Sequence, residues 1–266
     1  MHVPTRVPPT VVLVHGAFTD ASSWAAVAGL LHSAGLRVRA PANPLRGLRQ
    51  DSAYIRSVVR DIAVPVVLVG HGYGGAVITH AAADNDNVVA LCYVAAFGLD
   101  ARECVLDITR RFAPMPSAYA TVTAPLPARS PGSPESELYI RRTRFADVFA
   151  ADLPPRVSRV LAVTQRPIAS SALTGVSGPP AWASKPSWYA IATADQLLNP
   201  TAQHFMAQRM AAAEHLLDGS HAVLLSQPGA VAGMIREAVA HGSAPVDGDE
   251  PPEQGEHPIQ VNAPRA

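Results

Sequence analysis

Asp195 and His221 are the pair with the clearest chemistry in this sequence. A carboxylate bonded to one imidazole nitrogen fixes the tautomer and leaves the other nitrogen basic, so such a pair can serve as an oriented general base. Each stands just past a stretch that reads as a strand: Ser187–Thr193 before Asp195, and Glu214–Leu217 before Asp218–Gly219–Ser220–His221. A third stretch lies upstream. Val66–Val69 reads as a buried strand, the glycines from Gly70 to Gly75 as a very tight turn, and Ala76–Ala83 as a helix that starts at once. Strand, sharp turn and helix form the setting of a G-x-S-x-G nucleophile elbow, with Gly70 and Gly74 as its outer glycines. The middle position is Gly72, and no serine lies between Val58 and Thr79. Glycine has no side chain, so Gly72 can neither attack a carbonyl nor form an acyl-enzyme. It does relieve the backbone strain that an elbow imposes on other residues. The pattern therefore points either to chemistry without a covalent nucleophile or to a stable, inactive descendant of a nucleophile site.

An oxyanion hole does not need the serine. The amide of Tyr73, at the start of the elbow helix, and that of Ala17, after the first strand, are the expected donors. Cys104 is the only other nucleophile worth weighing, and a buried inert thiol is the simpler reading of it. His71 is read as packing or hydrogen-bonding behind the sheet edge. Phe18, Trp24, Tyr119, Tyr139 and Trp182 are expected to line a mostly hydrophobic pocket. His204 and His215 lack ligand partners at metal-site spacing, so no metal is expected. No G-x-G-x-x-G follows the first strand, so no dinucleotide cofactor is implied, and no cofactor of any kind is expected.

These residues need a frame that brings strand ends together. Val11–Val14 reads as a short buried strand, followed by the turn His15–Gly16–Ala17–Phe18 and a helix from Trp24 to Leu31, capped by Asp20 or Ser22 and ended at Gly35. Leu36–Ala40 alternates like a strand, Ser52–Ala63 reads as a helix, and Val88–Ala95 as another strand. Strands alternating with helices over short loops imply a mostly parallel sheet covered on both faces. From Gly98 to Lys185 the rhythm breaks. No clear strand shows, prolines crowd Pro114–Pro134, Glu135–Ala151 reads as a helix, and Arg156–Gln165 as a second. The rhythm resumes with Ser187–Thr193, a helix over Pro200–Ala213, the strand Glu214–Leu217 and a last helix near Gln227–Ala240. The expected division is a core in two parts, 1–97 and 186–241, a helical lid insertion over 98–185, and a disordered tail over 242–266, poor in large apolar residues. Ligands of open parallel sheets sit beyond the carboxyl ends of the strands, where Ala17, Gly72, Asp195 and His221 would share one edge.

With 266 residues, 48% of them hydrophobic, and a net charge of zero, the chain can bury a sizeable core and carries no basic block for nucleic acid or an anionic membrane. Met1–Pro9 does not read as a signal peptide, and no apolar run is long enough to span a bilayer. Two cysteines without metal spacing give no disulfide framework. The expectation is a cytoplasmic protein with free thiols whose partner is a small-molecule substrate. Oligomeric state is not legible.

The dispersed stretches Val11–Phe18 with Trp24, Asn43–Pro44–Leu45, Gly70–Gly75, Tyr93–Phe97, Thr164–Pro167, Pro186–Tyr189 and Gly219–Ala222 resemble the α/β-hydrolase superfamily, among its small bacterial esterase-like members related to plant methylesterases and hydroxynitrile lyases. The resemblance implies an α/β-hydrolase fold. It places the acid on Asp195, the histidine on His221 and the oxyanion donors on Ala17 and Tyr73, and puts Gly72 where the family has serine. Three functions stay open. The first is a His–Asp general-base enzyme catalysing elimination, cyclisation or carbon–carbon cleavage on a carbonyl compound, with the space above Gly72 admitting bulky substrate atoms. The second is a hydrolase whose histidine activates water. The third is a catalytically inactive small-molecule binder.

Overall fold

A computed structural model describes residues 7–112, 123–126 and 136–243. Tyr119 and residues 244–266 lie outside these. Six strands form one wholly parallel sheet: β1 (Thr10–Val14), β2 (Val38–Arg39), β3 (Val66–His71), β4 (Val88–Val94), β8 (Ser187–Ala192) and β9 (Ala213–Leu217), in the order β2-β1-β3-β4-β8-β9. Buried strands of parallel sheets read as unbroken apolar runs because both faces are covered, and β3 shows it. Val66 and Leu68 pack into the core on one face, against helices α2 (Leu48–Arg60) and α3 (Tyr73–Ala81). Val67 and Val69 pack into the core on the other, with α1 (Ala25–Ser33) and the last helix, Pro228–Gly242. Full burial of each such side chain contributes about 1.5–3 kcal/mol.

Several expected boundaries move. A 3-10 turn over Ala21–Trp24, capped by the Asp20 carboxylate on the Ser22 amide at 2.8 Å, precedes α1, which begins at Ala25 rather than Trp24. Gly35 follows α1 with a φ of +79°. Helix α3 begins at Tyr73, directly after Gly72.

The segment between β4 and β8 departs most from the sequence reading. Residues 137–140 are a strand, β6 (Glu137–Ile140), and only Arg142–Phe149 is helical. An antiparallel sheet of β5 (Thr123–Leu126), β6 and β7 (Ile168–Ala169) stands where no strand was expected, and helix α4 (Val105–Arg111) precedes it in the chain. The apolar positions Leu138 and Ile140 fit period 2 as well as they fit a helical face, and the partner strands decide between them. The second expected helix is present over Pro155–Thr164.

Candidate active site

The turn after β3 is shaped by glycines that cannot be enlarged. A Cβ on Gly70 would stand 2.6 Å from the backbone of Gly74, one on Gly74 2.4 Å from the Val14 carbonyl oxygen, and one on Gly75 2.7 Å from the Ala96 Cβ. The chain turns so tightly that β3, α3 and the ends of β1 and β4 touch backbone to backbone. Gly72 lies at the apex with φ +52° and ψ −121°, the positive φ expected of an elbow. Its amide donates to the Val94 carbonyl at 3.2 Å, and its carbonyl accepts from Phe97 at 2.9 Å.

Asp195 and His221 meet as expected. His221 Nδ1 lies 2.7 Å from Asp195 Oδ2, and both side chains are buried. The carboxylate is held on all sides: Oδ1 accepts from the Leu197 and Leu198 amides at 2.8 and 2.9 Å, and Oδ2 also accepts from Gln203 Nε2 at 2.9 Å. With Nδ1 donating to Asp195, Nε2 is the basic nitrogen, and it points at Gly72. A Cβ built there would lie 3.0 Å from Nε2 and 3.5 Å from Cε1. The room left by the absent side chain is therefore not open for bulky substrate atoms, because the imidazole closes over it. This corrects the expectation from sequence.

The Tyr73 amide is among the first four of α3, which have no intrahelical acceptor. Among the described residues neither it nor the Ala17 amide donates to a protein acceptor. Tyr73 is anchored through its hydroxyl, which donates to the buried Asp51 at 2.7 Å. Asp51 also accepts from the Arg46 and Gly47 amides. Burial pushes the Asp51 carboxyl up, against these bonds, which pull it down.

His15 ties the turn after β1 to the Asn43–Pro44–Leu45 loop. Its Nδ1 donates to the Gly16 carbonyl at 2.9 Å, Nε2 accepts from the Asn43 amide at 2.9 Å, and the Asn43 side chain donates to the His15 carbonyl at 3.0 Å. This pattern needs a neutral ring. Burial lowers the His15 pKa to about 4, in agreement. His71 packs as read from the sequence: Nε2 donates to the His221 carbonyl at 2.9 Å, and burial, with His221 beside it, holds it well below the ordinary histidine range.

The expected pocket residues divide. Phe18, at φ +63°, borders a small cavity of about 80 Å³ with Leu161 and Leu225. Trp24 lies edge-on to His71. Tyr139 lines a separate cavity of about 450 Å³ with Arg141, Arg142 and Gln165. Trp182 donates to the Leu99 carbonyl at 3.0 Å and packs beneath Arg209 rather than on the imidazole. Cys104 serves as the N-cap of α4, where burial and then Asp107 push its thiol up. Reading from sequence did not single out Gln203, nor Phe149 as the ring edge-on to His221 at 5.0 Å. Among the described residues no group of three or more side chains could hold a metal ion, and no helix is long and apolar enough to cross a membrane.

Among solved structures, a methylesterase protein from Arabidopsis, MES16, is similar at 19% identity and a TM-score of 0.72, over 87% of this chain and 99% of that one. Polyneuridine aldehyde esterase matches at 18% identity and 0.76 over 87% and 99%. A pyrethroid hydrolase from Sphingobium faniae JZ-2 matches at 22% and 0.71 over 87% and 97%. At these identities the likeness is one of fold. No curated protein matches the chain. A family model described as the alpha/beta hydrolase family matches residues 11–234, and with its six-stranded parallel sheet between helical layers the chain belongs to that family.

Proposed function

We propose that this protein is a cofactor-independent enzyme of the family that works without a covalent nucleophile. His221, oriented by Asp195, removes a proton from a small, mostly apolar carbonyl compound, and the amides of Ala17 and Tyr73 hold the resulting oxyanion. The observation that carries this reading is the complete dyad aimed at an apex with no side chain: Nδ1 engaged at 2.7 Å, and Nε2 over Gly72. Base, orienting acid and donors remain, and only the group required for covalent attack is absent. A positioned base contributes typically ~10²–10⁴-fold and one oxyanion donor ~10²–10³-fold, enough together for elimination, cyclisation or carbon–carbon cleavage beside a carbonyl.

The esterases among the structural neighbours favour a second reading, in which the proton removed belongs to a water and the product is that of hydrolysis.

Deuterium exchange tests the proposal before any substrate is known. Carbonyl compounds with acidic α-hydrogens are incubated with the protein in D₂O and followed by NMR. The expected result is protein-dependent exchange at the α-carbon, reduced at least ~10²-fold in His221→Ala and less or comparably in Asp195→Asn. Exchange that persists in full in His221→Ala would overturn the mechanism.

A further inference from the structure

Asp152 has no part in the site as described, yet it is built into it. The loop Gly219–Ser220–His221–Ala222 leaves β9 and meets the end of the helix Arg142–Phe149. Ala222 donates its amide to the Phe149 carbonyl at 2.9 Å, and the Phe149 ring stands edge-on to the imidazole. Ser220 Oγ lies 2.5 Å from Asp152 Oδ1 and 3.0 Å from the Phe149 carbonyl oxygen. A hydroxyl carries one proton. It goes to the nearer, charged carboxylate, which makes the stronger bond, while the Ala222 amide also reaches Ser220 Oγ at 3.2 Å. Gly219 makes the same point independently. A Cβ there would lie 2.9 Å from Asp152 Oδ2 and 3.0 Å from Val223 Cγ2, so the carboxylate sits where any other side chain would begin. Asp152 therefore bonds Ser220 and occupies the space beside Gly219.

We propose that Asp152 is a positioning residue for His221. Its carboxylate grips Ser220 and sets the loop so that Nε2 stands over Gly72 while Nδ1 stays on Asp195. Asp195 anchors one corner of the ring, and His71 holds the His221 carbonyl and packs on one side of the imidazole. Asp152, through Ser220, and Phe149, against the ring, hold the remaining side, and both belong to the segment between β4 and β8. Placement of the base thus depends on where that segment sits. The inference rests on the reading of His221 as the base. Asp152 touches no reacting atom and acts only through the loop.

The test uses the full chain and needs no substrate. The Nδ1 proton of His221 is followed by ¹H NMR, assigned by its loss in His221→Ala, and its exchange with water is measured. In Asp152→Ala and in Ser220→Ala, exchange is expected to quicken by about tenfold or more, from the loss of one charge-assisted hydrogen bond. In Asp152→Asn, whose amide oxygen still accepts from Ser220, protection should largely return. A merely structural role would lower the unfolding midpoint and leave this proton's shift and exchange as in the parent. That result in Asp152→Ala and Ser220→Ala overturns the proposal. If Asp152→Ala does not fold, Ser220→Ala and Asp152→Asn decide: protection lost in the first and kept in the second supports it, and equal protection in both overturns it. Failure here leaves α-carbon exchange by the parent protein untouched, and absence of that exchange leaves this proton's behaviour untouched.

Discussion

Substituting Gly72→Ser asks whether the rest of the constellation is in catalytic register. The conformation at Gly72, φ +52° and ψ −121°, strains any residue with a Cβ by roughly 1–3 kcal/mol. For a domain of this size each kcal/mol lowers Tm by about 2–4 °C, so Tm should fall by roughly 2–12 °C. The new Cβ would lie 3.0 Å from His221 Nε2, so the imidazole must retreat by a few tenths of an ångström, and the hydroxyl then falls within reach of Nε2. Because Asp195 is held by Leu197, Leu198 and Gln203 as well as by His221, the retreat has to come from the imidazole and its loop. The assay is hydrolysis of p-nitrophenyl acetate together with intact mass after a serine-directed organophosphonate. The expected result is a gain of ester hydrolysis of ~10²–10⁴-fold with a stoichiometric adduct, both abolished by adding His221→Ala. A variant that folds, shows the Tm loss and stays inert to ester and phosphonate would refute the view that Asp195, His221, Ala17 and Tyr73 form a working set.

The parent protein should show no acyl-enzyme burst with activated esters and no mass change with the phosphonate. An adduct would place a nucleophile elsewhere, with Cys104 the first to map. Stability should fall in mild acid, because His15, with a folded pKa of about 4, and His71, well below its ordinary value, stay neutral in the native state while the unfolded chain takes up protons below pH 6.5. Stability present above pH 6.5 is therefore lost towards pH 4, at about 1.4 kcal/mol per pH unit for each such group. For His15 that amounts to about 3 kcal/mol. Urea midpoints that stay level from pH 6.5 to 4.5 would refute it.

The sequence by itself determined the local frame. The inner strands β1, β3, β4 and β8 are almost wholly buried because both faces of the sheet are covered there, whereas the edge strands β2 and β9 carry exposed polar residues. The elbow is written in Gly70, Gly74 and Gly75 because neighbouring chain approaches there more closely than a Cβ permits, and in Gly72 because its φ is positive. Asp195 and His221 were legible because each stands just past a strand, and parallel strands bring such positions to one edge. What only the tertiary structure decided lies between distant residues. His71 meets the His221 carbonyl across 150 positions and Asp152 meets Ser220 across 68, and neither contact leaves a periodic trace in the chain. Tyr139 and Trp182 looked like pocket residues by type, but the packing of β6 and of the Leu99 turn commits them elsewhere. The pattern at Leu138 and Ile140 suited a strand and a helix alike, and only pairing with β5 and β7 chose the strand, since backbone groups are satisfied by partners that the local sequence does not contain.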